Sequence, residues 1–133
     1  MTEDDLDAIA RLESALFGAE AWSRNLLVAE LEASQGPLAD RRYVVVESDD
    51  DDVAVGDGAG TATKRPRLLG YAGLYHAGGL TSADLLTIAT IPAARGRGLA
   101  SRMLTELVGT ARRAGCPDVL LEVRQSNEAA QRL

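Results

Sequence analysis

The sequence predicts an α/β domain built on a mixed sheet with helices on both faces. Three observations predict it. Helical and strand-like segments follow one another as helix, helix, strand, strand, strand, helix, strand, helix. Two of these strands flank the best amphipathic helix of the chain, and a strand–helix–strand unit of this kind is a right-handed crossover between parallel strands. The strands before that unit have no helix between them, and an antiparallel hairpin and meander is the simplest connection.

The elements follow in order. Residues 4–17 read as a helix, because Leu6, Ile9, Leu16 and Phe17 recur at helical spacing and acidic residues crowd its start. Glu13 falls on the same stripe, either facing a cleft or at its edge. Trp22-Ser23 opens a second helix with Ser23 as N-cap and Leu26, Leu27 and Leu31 on one face; Gln35-Gly36-Pro37 ends it. Tyr43-Val44-Val45-Val46 marks a strand over 42–47, and 68–76 reads as the returning strand. Between them, 48–67 holds four consecutive aspartates and a Gly/Ala/Thr stretch, which predicts a long solvated loop. The aspartates do not follow the spacing of an EF-hand calcium loop. ADLLTIAT, 83–90, is an apolar strand. Leu99, Met103, Leu104, Leu107, Val108 and Ala111 form the strongest helical stripe, stopped by Gly115 and Pro117. VLLEV, 119–123, is a short buried strand, and 127–133 begins a further helix capped by Ser126 or Asn127.

The totals limit the function classes. A chain of 133 residues suits one domain with a real core, so 1–133 is expected to be a single domain with an insertion at about 48–67. No apolar run approaches the roughly 20 residues of a membrane helix, and no secretory signal pattern opens the chain. The net charge of −6 argues against a nucleic-acid surface and allows a basic partner such as a cationic peptide. The single cysteine, Cys116, excludes an internal disulfide framework and points to a reducing cytoplasm. One histidine, His76, and one cysteine give no metal cluster, so no metal is expected. No serine lies in a nucleophile elbow, which disfavours a hydrolase triad built on His76.

The chemistry concentrates in Arg95-Gly96-Arg97-Gly98-Leu99-Ala100-Ser101. These residues join a buried strand to the start of the best helix. Glycines bring backbone N–H groups close to a ligand at a helix N-terminus, and two arginines add positive charge to an acidic chain. A pyrophosphate suits such a loop; a solvated glycine turn is the plain alternative. Two nucleotide readings compete. Gly96-x-Gly98-x-x-Ser101 is close to the dinucleotide fingerprint, with Glu122 placed where a ribose-binding acid would sit. Ser101 replaces its third glycine, however. Five residues, 91–95, separate strand from first glycine, and two helices and two strands precede the loop.

Arg95-Gly96-Arg97-Gly98-Leu99-Ala100 also matches the Gln/Arg-x-x-Gly-x-Gly/Ala pattern of the GNAT acetyltransferase superfamily. Together with Leu12-Glu13, Trp22-Ser23, Leu86-Thr87-Ile88-Ala89-Thr90, Pro92 and Leu121-Glu122-Val123-Arg124-Gln125-Ser126-Asn127-Glu128-Ala129-Ala130, the chain resembles the RimI-type ribosomal-protein-alanine N-acetyltransferases. The resemblance covers nearly the whole chain except the acidic insert. It implies a GNAT-type mixed sheet whose βαβ unit binds acetyl-CoA as co-substrate. It implies that Ile88, Ala89 and Thr90 pair with the pantetheine arm, and that Arg95, Gly96, Arg97, Gly98, Leu99, Ala100 and Ser101 hold the pyrophosphate. It further implies that Asn127 contacts the coenzyme and Glu122 is the general base. The implied acceptor is the N-terminal amine of a protein or peptide, as in a ribosomal protein. A small-molecule amine, or a non-catalytic acyl-CoA-binding module, is the alternative. The family places an acid-supplying tyrosine just after the Ala-Ala-x-x-Leu run that closes this sequence, adds strands beyond it, and begins with a strand before the first helix. The fold is thus expected to be incomplete at the C-terminus, and the chain a fragment of a longer protein.

Overall fold

The computed structural model describes residues 1–56, 62–77 and 80–121, with side chains outside 49–66. The element order is α1 (Leu6–Phe17), α2 (Arg24–Ala33), β1 (Arg41–Gly56), β2 (Ala62–Tyr75), β3 (Ala83–Thr90), α3 (Leu99–Arg113) and β4 (Val119–Leu121), with short 3₁₀ turns at Glu3–Asp5, Gly18–Glu20 and Pro92–Ala94. The strands form one sheet in the order β1-β2-β3-β4. The first two pairings are antiparallel and β3–β4 is parallel, as the strand–helix–strand unit requires. The mixed α/β sheet with helices on its two faces is thus the architecture read from the sequence.

Two apolar clusters hold the layers together. Met103, Leu107 and Ala111, one turn apart along α3, pack with Ala72 and Leu74 of β2 and Ala83, Leu85 and Ile88 of β3. On the other face Leu6, Ile9, Leu12 and Phe17 of α1 and Leu27 and Leu31 of α2 pack with Tyr43, Tyr71 and Ala89. Alternation along β2 explains the division: Tyr71 faces α1 and α2, while Ala72 and Leu74 belong to the α3 side or its phase. The first turn of α2 begins where the sequence placed it. Ser23 is extended, and its Oγ accepts the Leu26 N–H at 3.1 Å. Ser23→Ala is expected to cost about 1 kcal/mol of stability in a denaturant titration, the usual value of such a cap.

Leu120 and Leu121 of β4, expected in a buried strand, and Leu26, expected on the apolar face of α2, are exposed. Two features of β1–β3 also depart from the expectations. The loop expected over 48–67 is shorter, because the β1–β2 ladder continues to Val55↔Thr63 and Gly56↔Ala62. An antiparallel ladder satisfies backbone groups whatever the side chains, so aspartates do not by themselves end it. The register shifts between Ser48 and Val53, across the aspartate run. The second departure is in β3. Gly73 faces Thr87 and Leu74 faces Leu85, which leaves Leu86 as an extra residue, a β-bulge. The bulge resets the phase of the strand: Ala83, Leu85 and Ile88 all join the α3 cluster, whereas Leu86 and Ala89 turn to the α1–α2 side. A strand that is apolar on both faces hides this shift from sequence periodicity.

Candidate coenzyme site

β3 ends at Thr90 and runs directly into the glycine loop. The Ile91 N–H donates to the Leu69 carbonyl at 2.8 Å, so the chain leaves the sheet under control of β2. The Pro92–Ala94 turn follows, closed by the Ala94 N–H on the Ile91 carbonyl at 3.0 Å. Ala94 and Leu99 are buried and pack with Leu69 as a small separate cluster. These two apolar residues pin the loop at both ends. Residues 95–98 between them are exposed.

The local backbone makes the loop a donor array. Gly96 has φ +81° and Gly98 has φ +74°, both left-handed. No atom lies within 4 Å of a Cβ built on either, so conformation rather than space requires glycine there. Gly98 is the N-cap of α3, and the Arg102 N–H already bonds its carbonyl at 3.1 Å. The N–H groups of Leu99, Ala100 and Ser101 belong to the first turn, which has no intrahelical acceptor for them. The first turn of α3 contains no acidic side chain, and its last turn contains Arg112 and Arg113, an arrangement that leaves the positive end of the dipole available. Arg95 and Arg97 are exposed on either side of Gly96. First-turn N–H groups at a helix N-terminus and two exposed guanidinium groups are an arrangement chemically suited to an anion such as phosphate.

The remaining candidate residues divide. Ile88 is buried against α3, Ala89 is buried on the opposite face, and Thr90 is half-buried at the strand end. The parallel β3–β4 pairing is formed at Ala83, Leu85 and the residue between them, on the far side of the bulge. Glu122 and Asn127 lie outside the described residues. Among the described residues no group of three or more His, Cys, Asp or Glu side chains could hold a metal, and no helix is long and apolar enough to cross a membrane. A groove of about 860 Å³ lies between α1 and the end of the sheet; it is bounded by Leu12, Leu16, Val45, Leu68, Ile91 and Pro92, among others, and by none of residues 95–101.

Sequence reasoning missed the polar groups buried between the sheet and α1–α2. Glu13 is fully buried. Its carboxylate accepts the Trp22 N–H at 3.1 Å through Oε2 and the Tyr71 hydroxyl through Oε1. Beside it, Glu30 pairs with Arg41 at 2.7 Å, and the Arg41 guanidinium stands over the Tyr75 ring at 5.6 Å. Tyr43 is buried, and burial together with the Glu30 carboxylate pushes its hydroxyl well above the ordinary tyrosine range. The signals available were Glu13 on an apolar stripe and tyrosines in an apolar strand; neither reveals its partner.

Fold and loop together define a mixed α/β protein in which a glycine- and arginine-bearing loop leads from a bulged strand into a helix N-terminus. Residues 20–133 match the profile described as the acetyltransferase (GNAT) family. The chain belongs to that family. It is 35% identical over 133 residues to the uncharacterized protein ML0378 of Mycobacterium leprae, covering 98% of this chain. The chain spans only 30% of the length of that relative. Among solved structures it is similar to the ribosomal-protein-S18-alanine N-acetyltransferase of Escherichia coli, with TM-score 0.61 and 24% identity over 99% of this chain and 69% of the other. It is also similar to the aminoglycoside N-acetyltransferase AAC(6')-Iy in complex with CoA, with TM-score 0.66 and 15% identity over 99% and 79%.

Proposed function

We propose that the chain binds acetyl-CoA across the N-terminal end of α3 and transfers the acetyl group to the N-terminal amine of a protein or peptide. The observation behind this reading is the loop: two left-handed glycines, the first-turn N–H groups of α3, and the exposed Arg95 and Arg97 beside them. Ile88, Ala89 and Thr90 then offer backbone to the pantetheine arm, and Asn127 contacts the coenzyme. Family membership supports the coenzyme. The acceptor type rests on the likeness of Leu12-Glu13, Trp22-Ser23 and the 121–130 string to ribosomal-protein-alanine acetyltransferases. A cytoplasmic setting fits the single cysteine.

The reaction needs a neutral amine. A protein α-amine has a pKa of about 7.7–8.0, so only a minority is free base at neutral pH. Glu122 is assigned the removal of its proton, directly or through water. The amine nitrogen then attacks the thioester carbonyl, backbone N–H groups stabilise the oxygen as charge develops, and the C–S bond breaks; the nitrogen loses its extra proton and the departing thiolate takes up one, giving the amide and coenzyme A. Glu122→Gln is expected to lower kcat/KM by about 10²–10⁴, the usual worth of a general base, with coenzyme affinity unchanged. Steady-state kinetics with acetyl-CoA and alanine-initiated peptides tests this; an undiminished rate removes the assignment. Running aminoglycosides and small amines beside the peptides decides the acceptor class. Coenzyme binding without transfer to any of them would leave the non-catalytic acyl-CoA module.

A further inference from the structure

Glu13 stands out among the groups that the reaction above does not use. It is a carboxylate with 0% exposure in an otherwise apolar layer. A buried carboxylate is costly unless it is well hydrogen-bonded. Here the bonds it accepts come from two different parts of the fold. The Trp22 N–H belongs to the connection between α1 and α2. The Tyr71 hydroxyl belongs to β2, and Tyr71 is the residue directly opposite Ala89 in the β2–β3 ladder. Tyr71 is itself fully buried. The two motif pieces Leu12-Glu13 and Trp22-Ser23 are therefore joined by a hydrogen bond, and the joint is anchored next to the strand assigned to the coenzyme.

Position gives this joint a consequence. α3 covers one face of β3, and α1 and α2 cover the other, so an acceptor amine coming from that second side must pass their connection to reach β3. On that face Leu86, turned outward by the bulge, and Ala89 belong to the same cluster as Ala21 and Trp22. The α1–α2 connection is thus a wall of the approach to β3. The Glu13 carboxylate ties the backbone of this connection, at the Trp22 N–H, to the Tyr71 hydroxyl of β2. We propose that Glu13 is a positioning residue: it holds the α1–α2 connection, through Trp22, at the height that acceptor binding requires. This rests on the acetyltransferase reading above.

Two variants of the full chain separate the roles. In Glu13→Gln the amide oxygen still accepts the Trp22 N–H, and the amide N–H₂ can donate to the Tyr71 hydroxyl oxygen. In Glu13→Leu both bonds are lost. Glu13→Leu is expected to raise the acceptor KM about tenfold, the size of one hydrogen bond to a charged group, while the dissociation constant for coenzyme A stays within about twofold. Glu13→Gln is expected to restore the acceptor KM to within about threefold of the parent. Leu31→Ala, a buried α2 residue outside the joint, is the control for stability loss alone and leaves the acceptor KM unchanged. Trp22 is the only tryptophan, so its emission and its amide exchange report on the joint without any turnover. Exchange of the Trp22 amide should accelerate in Glu13→Leu and not in Glu13→Gln. An acceptor KM that does not move in Glu13→Leu, or that moves equally in Leu31→Ala, overturns the proposal. If the parent chain transfers no acetyl group, the acetyltransferase reading has failed. The Trp22 amide then judges the joint alone, and equal exchange in all forms overturns it.

Discussion

Gly98→Asp is expected to weaken coenzyme A binding by about thirtyfold or more in a calorimetric titration, with the fold intact. The reasoning separates conformation from charge. Gly98 has φ +74° and ψ +16°, and nothing lies within 4 Å of its would-be Cβ. Aspartate tolerates this left-handed region, so the conformational cost is about 1 kcal/mol and the loop survives. Two effects then act on the ligand. The new carboxylate repels a pyrophosphate at contact distance. It also sits at the N-cap, where its oxygen can accept the N–H of Ala100 or Ser101, the groups the phosphate would use. Gly98→Ala has the conformational cost without the charge and should bind within a few-fold of the parent. Arg97→Ala should give an intermediate loss that shrinks as salt is raised, because Arg97 is exposed. Equal affinity in the parent and Gly98→Asp would falsify the pyrophosphate site.

The second large effect is on stability. Gly73→Val is expected to destabilise the protein by about 3 kcal/mol or more, lowering the thermal midpoint by about 10 °C. A Cβ at Gly73 would lie 2.6 Å from Cδ1 and Cζ of Tyr43, inside its ring. The Tyr43 side chain is buried and faces Gly73 across the β1–β2 ladder. Displacing it disturbs the layer shared with α1 and α2, where neighbours are close-packed. Gly109→Ala is the contrasting case. Gly109 is in α3, and its would-be Cβ meets only the end of the Arg113 side chain, at 3.2 Å. That flexible group can move aside, so the helix gains about 0.5–1 kcal/mol from the better helix former. Chemical denaturation of both variants distinguishes close approach from simple propensity.

The same contrast marks how much was legible beforehand. α3 was readable because its apolar stripe, the glycines before it and the stop after it are all local signals. β3 was readable over its full length, 83–90, because a run of apolar residues between turn signals needs no partner to be seen. The position of the glycine–arginine loop was readable because its residues are adjacent in the chain. The bulge at Leu86 was not, since a register shift belongs to two strands at once and β3 is apolar on both faces. The extent of the β1–β2 ladder was misread because backbone pairing overrode the polar composition of 48–56. The roles of Gly73 and Tyr43 were hidden for a related reason: a glycine in a strand shows that something approaches, but not what.

The sequence by itself determined the loop 95–101, its place between a buried strand and a helix, and, once the 121–130 string and the pairs Leu12-Glu13 and Trp22-Ser23 were read with it, the family resemblance. Each of these rests on short runs of residues adjacent in the chain. The tertiary structure decided what faces the loop from across the sheet. Glu13, Trp22 and Tyr71 are separated by 9 and 58 residues along the chain, and they meet because α1, its connection to α2 and β2 pack in one layer. A buried carboxylate is stable only where folding brings donors to it, so its partners could be found only once the layer was seen.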